Sequence, residues 1–368
     1  MHAKNFVCFH CRKRYPLEPM LFECPECHGS LDIEYDYEKI KQLIFRQEFL
    51  RNETINHWKY WMFYPINDLS KIVWLKEGGT PLIESVNHPG YYFKFEGMNP
   101  TGSFKDRGST IELTKAKELN VNEVYCASTG NMGASIAAYA SRAGINSNIF
   151  VPSIAPKSKL AQIQAYGGKL FKVKGTYGDA VNKTKELRKK KNVFLVGDYP
   201  FRGEGEKSVG FEVIDQLNWQ VPENIVCPIG NGTLIYATFK ACSELKKVGL
   251  IQKLPRIFGV QAKGCNPVYL AWKKKLKKVP VIKKPKTIID SIACGNPVDG
   301  LQALHAMKQT KGSCIQVSDE EALQAKEKLA SEGIYAELGG CVAFAGAKKL
   351  GLKGKTVCIA TGHGLKEK

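Results

Sequence analysis

The chain has 368 residues, of which 43% are hydrophobic and 24% are charged, and this predicts a globular protein of two or three domains. It contains no run of about 18 apolar residues, so a membrane-spanning helix is not expected. The first residues, MHAKNFVCFHCRKRYP, lack the apolar region of a secretory signal, which favours a cytoplasmic location.

The formal net charge of +19 raises the question of a nucleic-acid partner. The excess is mostly lysine, in short clusters such as 188–191 and 273–278 that have no interleaved aromatic residues. Such clusters at helix ends and in loops are typical of a solvated surface. We therefore expect neither a nucleic acid nor a membrane as a partner.

The first motif along the chain is a group of four cysteines with the spacing C-x2-C-x12-C-x2-C. Its members are Cys8, Cys11, Cys24 and Cys27. Paired knuckles of this kind place four thiolates at the corners of a tetrahedron. Disulfide bonds between these cysteines are not expected, because the sequence shows no secretory context. The spacing predicts a structural zinc site in a zinc-ribbon-like domain at 1–34, with iron or a metal-free relic as the alternatives. Such a site has no open coordination position, so it is not expected to carry out chemistry.

After a polar and aromatic stretch at 35–75, which is predicted to be a helical covering segment, comes the sequence NPTGSFKDRGS at 99–109. It places Lys105 between a Pro-Thr-Gly-Ser turn and the first turn of a predicted helix. The N-terminal end of a helix carries positive partial charge, which disfavours a cation and favours a neutral amine. An exposed lysine at a helix start is the alternative, but this setting favours a chemical role.

From residue 120 onward, short apolar runs alternate with amphipathic segments, as in a parallel α/β fold. The predicted strands EVYCAS, NSNIFVP, KLFKVK and VFLVGD alternate with the predicted helices NMGASIAAYASRAG, KSKLAQIQAYGG and YGDAVNKTKELRKKK. A second series runs from ENIVCPI through LIYATFKACSEL and RIFGVQA to KTVCIA, and it includes a capping box at Ser318–Glu321. Two α/β layers are therefore expected, separated near residue 200.

Three glycine-rich segments each follow a predicted strand: ASTGNMG (127–133), PIGNGT (228–233) and ATGHG (360–364). Ligands of open α/β sheets bind at the carboxyl ends of strands and at helix N-termini. The GNGT loop suits a phosphate, but it lacks the longer glycine motifs of nucleotide and dinucleotide sites. A positioned lysine together with a phosphate cradle is what pyridoxal 5'-phosphate requires.

These segments, together with EGGTPL and in the same order, resemble the threonine synthases, which are fold-type II (tryptophan-synthase β-like) pyridoxal-phosphate enzymes. The resemblance begins at about residue 75 and continues to the end. It implies an α/β fold with two open twisted parallel-sheet domains, a large one from 35–108 and 205–368 and a small one at 109–204. It also implies a homodimer.

Carried over position by position, the resemblance implies that Lys105 is the Schiff-base lysine and the general base, and that Asn131 is the partner of the cofactor's phenolic oxygen. It also implies that Thr361 is the hydroxyl residue facing the pyridine nitrogen. The implied phosphate loop consists of Gly230, Asn231, Gly232 and Thr233. Thr233 and Leu234 depart from the G-N-[AG]-G-N pattern of many relatives. A neutral hydroxyl at 361 implies a ring nitrogen that is largely unprotonated. Ser128 and Thr129 resemble the clamp for the α-carboxylate of the substrate.

The implied reaction converts O-phospho-L-homoserine and water to L-threonine and phosphate by γ-elimination and β-addition. Lys105 takes the Cα proton, proton loss from Cβ expels phosphate from Cγ, and water then adds to Cβ. The segment YPFRGEGEKS at 199–208 matches a family segment that makes Arg202 the candidate clamp for the substrate phosphate. A surface salt bridge is the alternative for Arg202, and Tyr199 stands where relatives carry asparagine.

Other functions stay open at this level. A cysteate synthase would use O-phosphoserine and sulfite, and a serine or threonine dehydratase would release a keto acid. The usual dehydratases lack the cysteine knuckles and the TGHG ending. A zinc-ribbon nucleic-acid binder is the alternative outside enzymology, but it would leave the strand-end loops unexplained.

Overall fold

A computed structural model describes residues 2–17, 21–46, 49–51, 54–155, 157–175, 177–187, 193–197 and 200–367. The strands of this part of the chain are β1 (Ala3–Cys8), β2 (Arg14–Tyr15), β3 (Leu31–Tyr35), β4 (Leu82–Glu84), β5 (Tyr91–Phe95), β6 (Glu123–Ala127), β7 (Asn146–Pro152), β8 (Lys169–Val173), β9 (Phe194–Leu195), β10 (Asn224–Pro228), β11 (Arg256–Ala262), β12 (Cys314–Val317) and β13 (Thr356–Ala360).

The α-helices of the described residues are α1 (Tyr37–Arg46), α2 (Lys105–Glu118), α3 (Asn131–Ala143), α4 (Lys157–Ala165), α5 (Tyr177–Leu187), α6 (Pro200–Glu206), α7 (Ser208–Gln216), α8 (Thr233–Lys247), α9 (Pro267–Lys273), α10 (Gly300–Gln309), α11 (Asp319–Ser331) and α12 (Leu338–Lys349). Short 3-10 helices lie between them. None of the helices in the described residues is both long and apolar enough to cross a membrane.

The chain forms two compact units. The first comprises Met1–Ile40, Tyr60–Glu77 and Lys105–Gly205, and the second comprises Lys41–Lys59, Gly78–Phe104 and Glu206–Lys368. The cysteine-bearing N-terminal sheet is thus part of the unit that contains Lys105, whereas the sequence prediction set it apart at 1–34. Residues 60–77 also belong to the first unit, although the prediction assigned them to the large domain.

The first unit contains two sheets. Strands β2, β1 and β3 form an antiparallel sheet in that order, and β8, β7, β6 and β9 form a parallel sheet in that order. All but the first residue of β7 are buried, as expected for a parallel strand that is covered on both faces. Helices α3 and α5 pack on this sheet. Their N-terminal ends therefore lie at the carboxyl edge of a parallel sheet.

The second unit is built on a six-stranded sheet in the order β12-β11-β10-β13-β5-β4. All neighbouring pairs are parallel except β4 and β5, so the sheet ends in one antiparallel edge strand. Every residue of the central strands β10 and β13 is buried. Helix α12 packs across the central strands, and its small residues are part of a hydrophobic core cluster of this unit.

The predicted fold class, α/β of fold-type II with two parallel-sheet domains, is confirmed by this architecture and by the comparisons reported below. The predicted strands NSNIFVP and RIFGVQA coincide with β7 and β11. The capping box is present as well: Glu321 N–H donates to Ser318 Oγ at 3.1 Å, and Ser318 N–H donates to Glu321 Oε2 at 2.7 Å. These elements are determined by residues close together in the chain.

The stretch at 35–75 is less regular than the predicted helical segment. It contains α1 and the 3-10 helices Phe49–Arg51, His57–Phe63 and Leu69–Lys71, and the second of these is interrupted by non-helical backbone at Tyr60. Part of the stretch is tied to the second unit, since Lys59 forms an ion pair of 2.6 Å with Asp215. This pair connects Lys59 to α7.

Candidate functional site

The turn before Lys105 is joined by backbone hydrogen bonds to the segment that follows β13. Phe104 N–H donates to the carbonyl of Thr361 at 3.0 Å, and His363 N–H donates to the carbonyl of Gly102 at 2.9 Å. Ser103 and Gly362 form an antiparallel bridge. Gly102 has a φ of +84°, a left-handed conformation that suits glycine. The residue after this turn is Lys105, which begins α2 and is partly exposed.

Arg202, on α6, lies against the start of α2 in the first unit. Its Nη1 donates to the carbonyl of Lys105 at 3.2 Å, and its Nη2 donates to Ser109 Oγ at 3.0 Å. The same Nη2 lies 2.9 Å from Glu112 Oε2, and both side chains are almost completely buried. The role of Arg202 as a clamp for the substrate phosphate stays a prediction, and the salt bridge that it forms is buried, whereas the alternative was a salt bridge at the surface.

Two glycines allow α6 to approach α2 this closely. A Cβ at Gly205 would lie 1.9 Å from the carbonyl oxygen of Arg107, and a Cβ at Gly108 would lie 2.7 Å from Nη1 of Arg202. Real Cβ atoms do not occupy such positions, so the glycines of KDRG and RGEG are required by this packing. Their place beside charged residues is the local sequence signal of this requirement.

The loop Ser128–Gly133 joins β6 to α3 in the same unit. Ser128 is buried, and its Oγ accepts hydrogen bonds from the N–H groups of Gly130, at 3.3 Å, and Gly133, at 3.0 Å. This side chain therefore shapes the turn at the positive end of α3, while Thr129 and Asn131 are partly exposed. The arrangement suits a carboxylate that is held by backbone N–H groups.

A buried polar network lies behind α2 and α3. Ser135 Oγ donates to Asp106 Oδ1 at 2.6 Å, and Tyr139 Oη donates to Glu77 Oε2 at 2.6 Å. Burial raises the pKa of Glu77 to about 7, although the hydrogen bonds from Tyr139 and Thr110 act in the opposite direction. Burial also raises the pKa of Tyr139 well above its usual range. Glu77 is the first residue of the EGGTPL segment, and no local sequence pattern predicted its buried position.

In the second unit, the GNGT loop joins β10 to α8. Gly232 has a φ of +101°, and a Cβ there would lie 2.6 Å from the carbonyl oxygen of Asp299. Asn231 Oδ1 accepts from Val298 N–H at 2.7 Å, and Thr233 Oγ1 donates to Asp299 Oδ2 at 2.6 Å. These side chains hold the loop against 298–299, so the groups that suit a phosphate are the backbone N–H groups at the start of the 15-residue helix.

Thr361 directly follows the adjacent strand β13 in this unit and is 4% exposed. Its Oγ1 donates to Glu337 Oε1 at 3.0 Å. The first turn of α12 passes close by, since a Cβ at Gly340 would lie 2.7 Å from the backbone nitrogen of Thr361. Glu337 was not found from the sequence, although a glutamate before the Leu-Gly-Gly of a helix start was a possible signal.

The four cysteines form one cluster, with their sulfurs all within 4.8 Å of one another. Cys8 Sγ lies 3.4 Å from Cys27 Sγ, and Cys11 Sγ lies 3.6 Å from Cys24 Sγ. Thiolates about 2.3 Å from a tetrahedral zinc ion would be about 3.8 Å apart, so the cluster fits this ion. The residues after the two C-x2-C pairs, Arg12 and His28, have left-handed backbone, which turns each knuckle back toward the cluster.

The structure thus brings the predicted site residues together in groups. The first unit holds Lys105, Ser128, Thr129, Asn131, Arg202 and the four cysteines, and the second unit holds Gly230, Asn231, Gly232, Thr233 and Thr361. Tyr199 lies outside the described residues. Within each unit, the glycine loops lie at the carboxyl ends of parallel strands, as the sequence predicted.

Comparison with known proteins supports the same chemistry. A family model described as "Pyridoxal-phosphate dependent enzyme" matches residues 73–362. The threonine synthase of Methanocaldococcus jannaschii is 43% identical, with 98% of this chain and 92% of the relative covered. That of Methanosarcina acetivorans is 38% identical, with 99% and 92% covered.

Among solved structures, maize serine racemase superposes with a TM-score of 0.67 at 21% identity, covering 77% of this chain and 88% of that one. The processed form of threonine deaminase isoform 2 from Solanum lycopersicum superposes with a TM-score of 0.66 at 22% identity, covering 77% and 83%. At such low identities, these two structures support the fold alone.

The raised pKa of Glu77 predicts a pH-dependent stability. The folded protein binds this proton more tightly than the unfolded chain, so the stabilisation is complete below the ordinary value of 4.5 and is lost as the pH rises through about 7. In the wild-type protein, the free energy of unfolding should therefore fall by on the order of 3 kcal/mol between about pH 4.5 and about pH 7.5. We expect this decrease to be absent in Glu77→Gln, because the glutamine side chain stays neutral. Urea unfolding at several pH values measures it.

Tyr139→Phe serves as the companion variant. It removes a hydrogen bond that favours the ionised carboxylate, so the loss of stability should move to higher pH. An unchanged pH profile of the free energy of unfolding in Glu77→Gln would contradict the assignment.

Proposed function

Because the chain belongs to the pyridoxal-phosphate dependent enzyme family and matches threonine synthases over almost its whole length, we propose that it converts O-phospho-L-homoserine and water to L-threonine and phosphate. The observation that carries this proposal is the 43% identity to the Methanocaldococcus jannaschii enzyme, which extends over 98% of this chain. The substrate is therefore a small phosphorylated amino acid.

Each unit carries residues that suit one part of the cofactor. In the first unit, the amine of Lys105 stands at a helix start, with Asn131 at the start of the neighbouring helix α3. In the second, the N-terminal end of α8 suits the phosphate and Thr361 offers a hydroxyl. We assign Lys105 as the attachment site, Asn131 to the phenolic oxygen, and Gly230, Asn231, Gly232 and Thr233 to the phosphate.

When bound, pyridoxal phosphate withdraws electron density from the α carbon of the substrate. The chain's own residues then orient the substrate and move its protons. Lys105 Nζ acts as the general base that takes the Cα proton and later returns it. The N–H groups at the Ser128–Thr129 turn hold the α-carboxylate, which directs the Cα–H bond toward this amine.

Arg202 contributes to this chemistry through Lys105. Its bond to the Lys105 carbonyl and its pairing with Glu112 hold the backbone of α2 from which the amine of Lys105 extends. A guanidinium engaged in this way supports a positioning role more strongly than direct recognition of phosphate.

The four-cysteine cluster supports a second proposal, a structural zinc ion bound by Cys8, Cys11, Cys24 and Cys27. Tyr15 Oη lies 3.1 Å from Cys24 Sγ, and Cys11 N–H donates to Cys8 Sγ at 3.4 Å, so the sulfurs have the outer hydrogen bonds that are usual around bound zinc. The ion would close the knuckle beside β1.

A cytoplasmic homodimer remains our expectation for the assembled enzyme.

The test of the proposed reaction is a steady-state assay with O-phosphohomoserine. We expect phosphate and threonine to appear in equal amounts, and only when the protein carries pyridoxal phosphate. Phosphate release from O-phosphoserine in the presence of sulfite, with no threonine from O-phosphohomoserine, would instead indicate a cysteate synthase. Ammonia and a keto acid from serine or threonine would indicate a dehydratase.

Lys105→Ala tests the attachment site. Borohydride reduction of the loaded wild-type protein should fix the cofactor to the peptide that contains residue 105, because the reduced bond to the amine is stable. The variant should carry no such label and should lose activity by several orders of magnitude. Lys117→Ala, which changes a lysine of the same helix, is the control and should keep the label on Lys105. Label on another lysine in the wild-type protein would refute the assignment.

Cys8→Ser tests the metal site. We expect the wild-type protein to contain one zinc ion per chain, and the variant to contain much less and to unfold at a lower temperature. Cys294→Ser changes a cysteine outside the cluster and should keep the full zinc content. Elemental analysis and thermal denaturation measure both effects, and a metal-free wild-type protein would exclude the proposal.

A further inference from the structure

One segment of the second unit, residues 273–286, concentrates positive charge. It contains eight lysines, and the chain has no acidic residue between Glu244 and Asp290. All eight lysine side chains are exposed, and within the part of the chain that the structure describes none of them forms an ion pair. Residues 273–286 are called the basic segment below. Its lysines are Lys273, Lys274, Lys275, Lys277, Lys278, Lys283, Lys284 and Lys286.

Main-chain contacts hold the basic segment at the carboxyl edge of the six-stranded sheet. Lys286 N–H donates to the carbonyl of Gly264 at 3.0 Å, and Gly264 lies just after the end of β11. A Cβ at Gly264 would lie 1.7 Å from the carbonyl oxygen of Lys286, so the two backbones touch there. Ile282 N–H donates to the carbonyl of Gly295 at 2.8 Å. The second half of the segment therefore lies at the edge where ligands of parallel sheets bind.

One stretch of chain contacts both the basic segment and the GNGT loop. It includes Gly295, which accepts the hydrogen bond from the basic segment. It also includes Ile292, whose Cα would lie 3.3 Å from a Cβ at Gly230, and Val298, whose N–H donates to Asn231 Oδ1 at 2.7 Å. The basic segment is thus the next layer of chain behind the loop that is proposed to bind the cofactor phosphate.

Aspartates that adjoin the basic segment reduce its charge without cancelling it. Asp319 Oδ2 accepts the N–H of Ile288 at 3.1 Å. Asp290 and Asp299 follow the segment in the chain, and Asp299 Oδ2 accepts a hydrogen bond from Thr233 Oγ1 at 2.6 Å. Eight lysines and these three aspartates leave the region with a formal net charge of +5. The GNGT loop therefore lies beside a positive field.

From this arrangement we propose that the basic segment steers small phosphate esters toward the GNGT loop and so speeds the binding of the cofactor and of the substrate. The inference rests on the proposed function, in which both ligands carry a phosphate. Ammonium groups act as point charges, and their attraction for phosphate extends over about 10 Å at 0.1 M salt. A field of one sign beside a binding site raises association rates by about 10- to 1,000-fold.

Two features favour small phosphate esters over a nucleic acid as the partner of this charge. The basic segment contains no aromatic residue on which a base could stack. Its second half is also bonded to the edge of the sheet that carries the GNGT loop. The amino-acid sequence alone predicted a solvated surface for 273–278, because the end of the sheet at which a charged loop lies depends on the fold.

The test is the rate at which pyridoxal phosphate binds to the full-length apoprotein, measured by stopped-flow absorbance at several salt concentrations. The triple variant Lys283→Gln, Lys284→Gln and Lys286→Gln removes three charges from the half of the segment that is bonded to the sheet edge. Its second-order rate constant should be about tenfold lower than that of the wild type at about 10 mM salt. The difference should disappear near about 1 M salt, because the charges are then screened.

Two controls separate steering from other effects of the substitutions. Pyridoxal lacks the phosphate, so its binding rate should be the same in the variant and the wild type at every salt concentration. The matched variant Lys246→Gln, Lys253→Gln and Lys353→Gln removes three exposed charges from the amino edge of the same sheet, at the end of α8 and before β11 and β13. It should bind pyridoxal phosphate at close to the wild-type rate.

The loaded enzyme gives a second measurement. In the basic-segment variant, kcat/KM for O-phosphohomoserine should fall at low salt while kcat stays unchanged, because the substitutions slow the encounter and leave the bound state intact. A fall in kcat with unchanged kcat/KM would contradict steering.

Equal rates of pyridoxal phosphate binding in the basic-segment variant and the wild type at low salt would overturn the inference. An equal decrease in the matched variant would overturn it as well, since net charge alone would then explain the effect. So would a wild-type rate that does not fall as salt is added, a result that needs no variant. The proposed function fails separately, if borohydride reduction finds no cofactor on Lys105. Cofactor on Lys105 with a salt-independent binding rate would overturn the inference alone.

Discussion

The backbone pairing between the turn at 99–104 and the segment 361–363 is the interaction on which the candidate site depends. It consists of main-chain hydrogen bonds, from Phe104 N–H to the Thr361 carbonyl and from His363 N–H to the Gly102 carbonyl, together with a bridge between Ser103 and Gly362. These bonds do not depend on side-chain conformation. They fix the chain at the residue before Lys105, so the helix that begins there starts from a defined point.

Buried charged groups then hold the elements around this point in one arrangement. Arg202 and Glu112 pair beside the first turn of α2, and in the second unit Lys94 pairs with Glu212 at 2.7 Å with both side chains completely buried. The loss of hydration of two charges offsets much of their attraction, so such pairs add little to the free energy of folding. Such pairs instead fix the relative positions of the two side chains, because a buried charge is stable only when it is close to a group of opposite charge.

Close approach of backbones is the third feature that shapes the site. Gly205 lies against Arg107, Gly232 against Asp299, and Gly340 against Thr361, each where a Cβ would be less than 3.0 Å from a main-chain atom. Gly232 lies between β10 and α8, so the first N–H groups of that helix lie near the carboxyl end of a parallel strand, where ligands of such sheets bind. The carboxylate of Glu337 reaches Thr361 for the same reason, since Gly362 leaves it room.

The amino-acid sequence by itself determined the structural features that depend on residues close together in the chain. Strands β7 and β11, the capping box at Ser318, the spacing of the four cysteines and the glycine turns after strands were all readable, because hydrophobic periodicity and capping act within a few residues. The tertiary structure alone decided the partners of the polar side chains. Arg202 meets Lys105 across 97 positions and Thr361 meets Glu337 across 24, and no local pattern specifies such pairs because they form only when separate elements pack together.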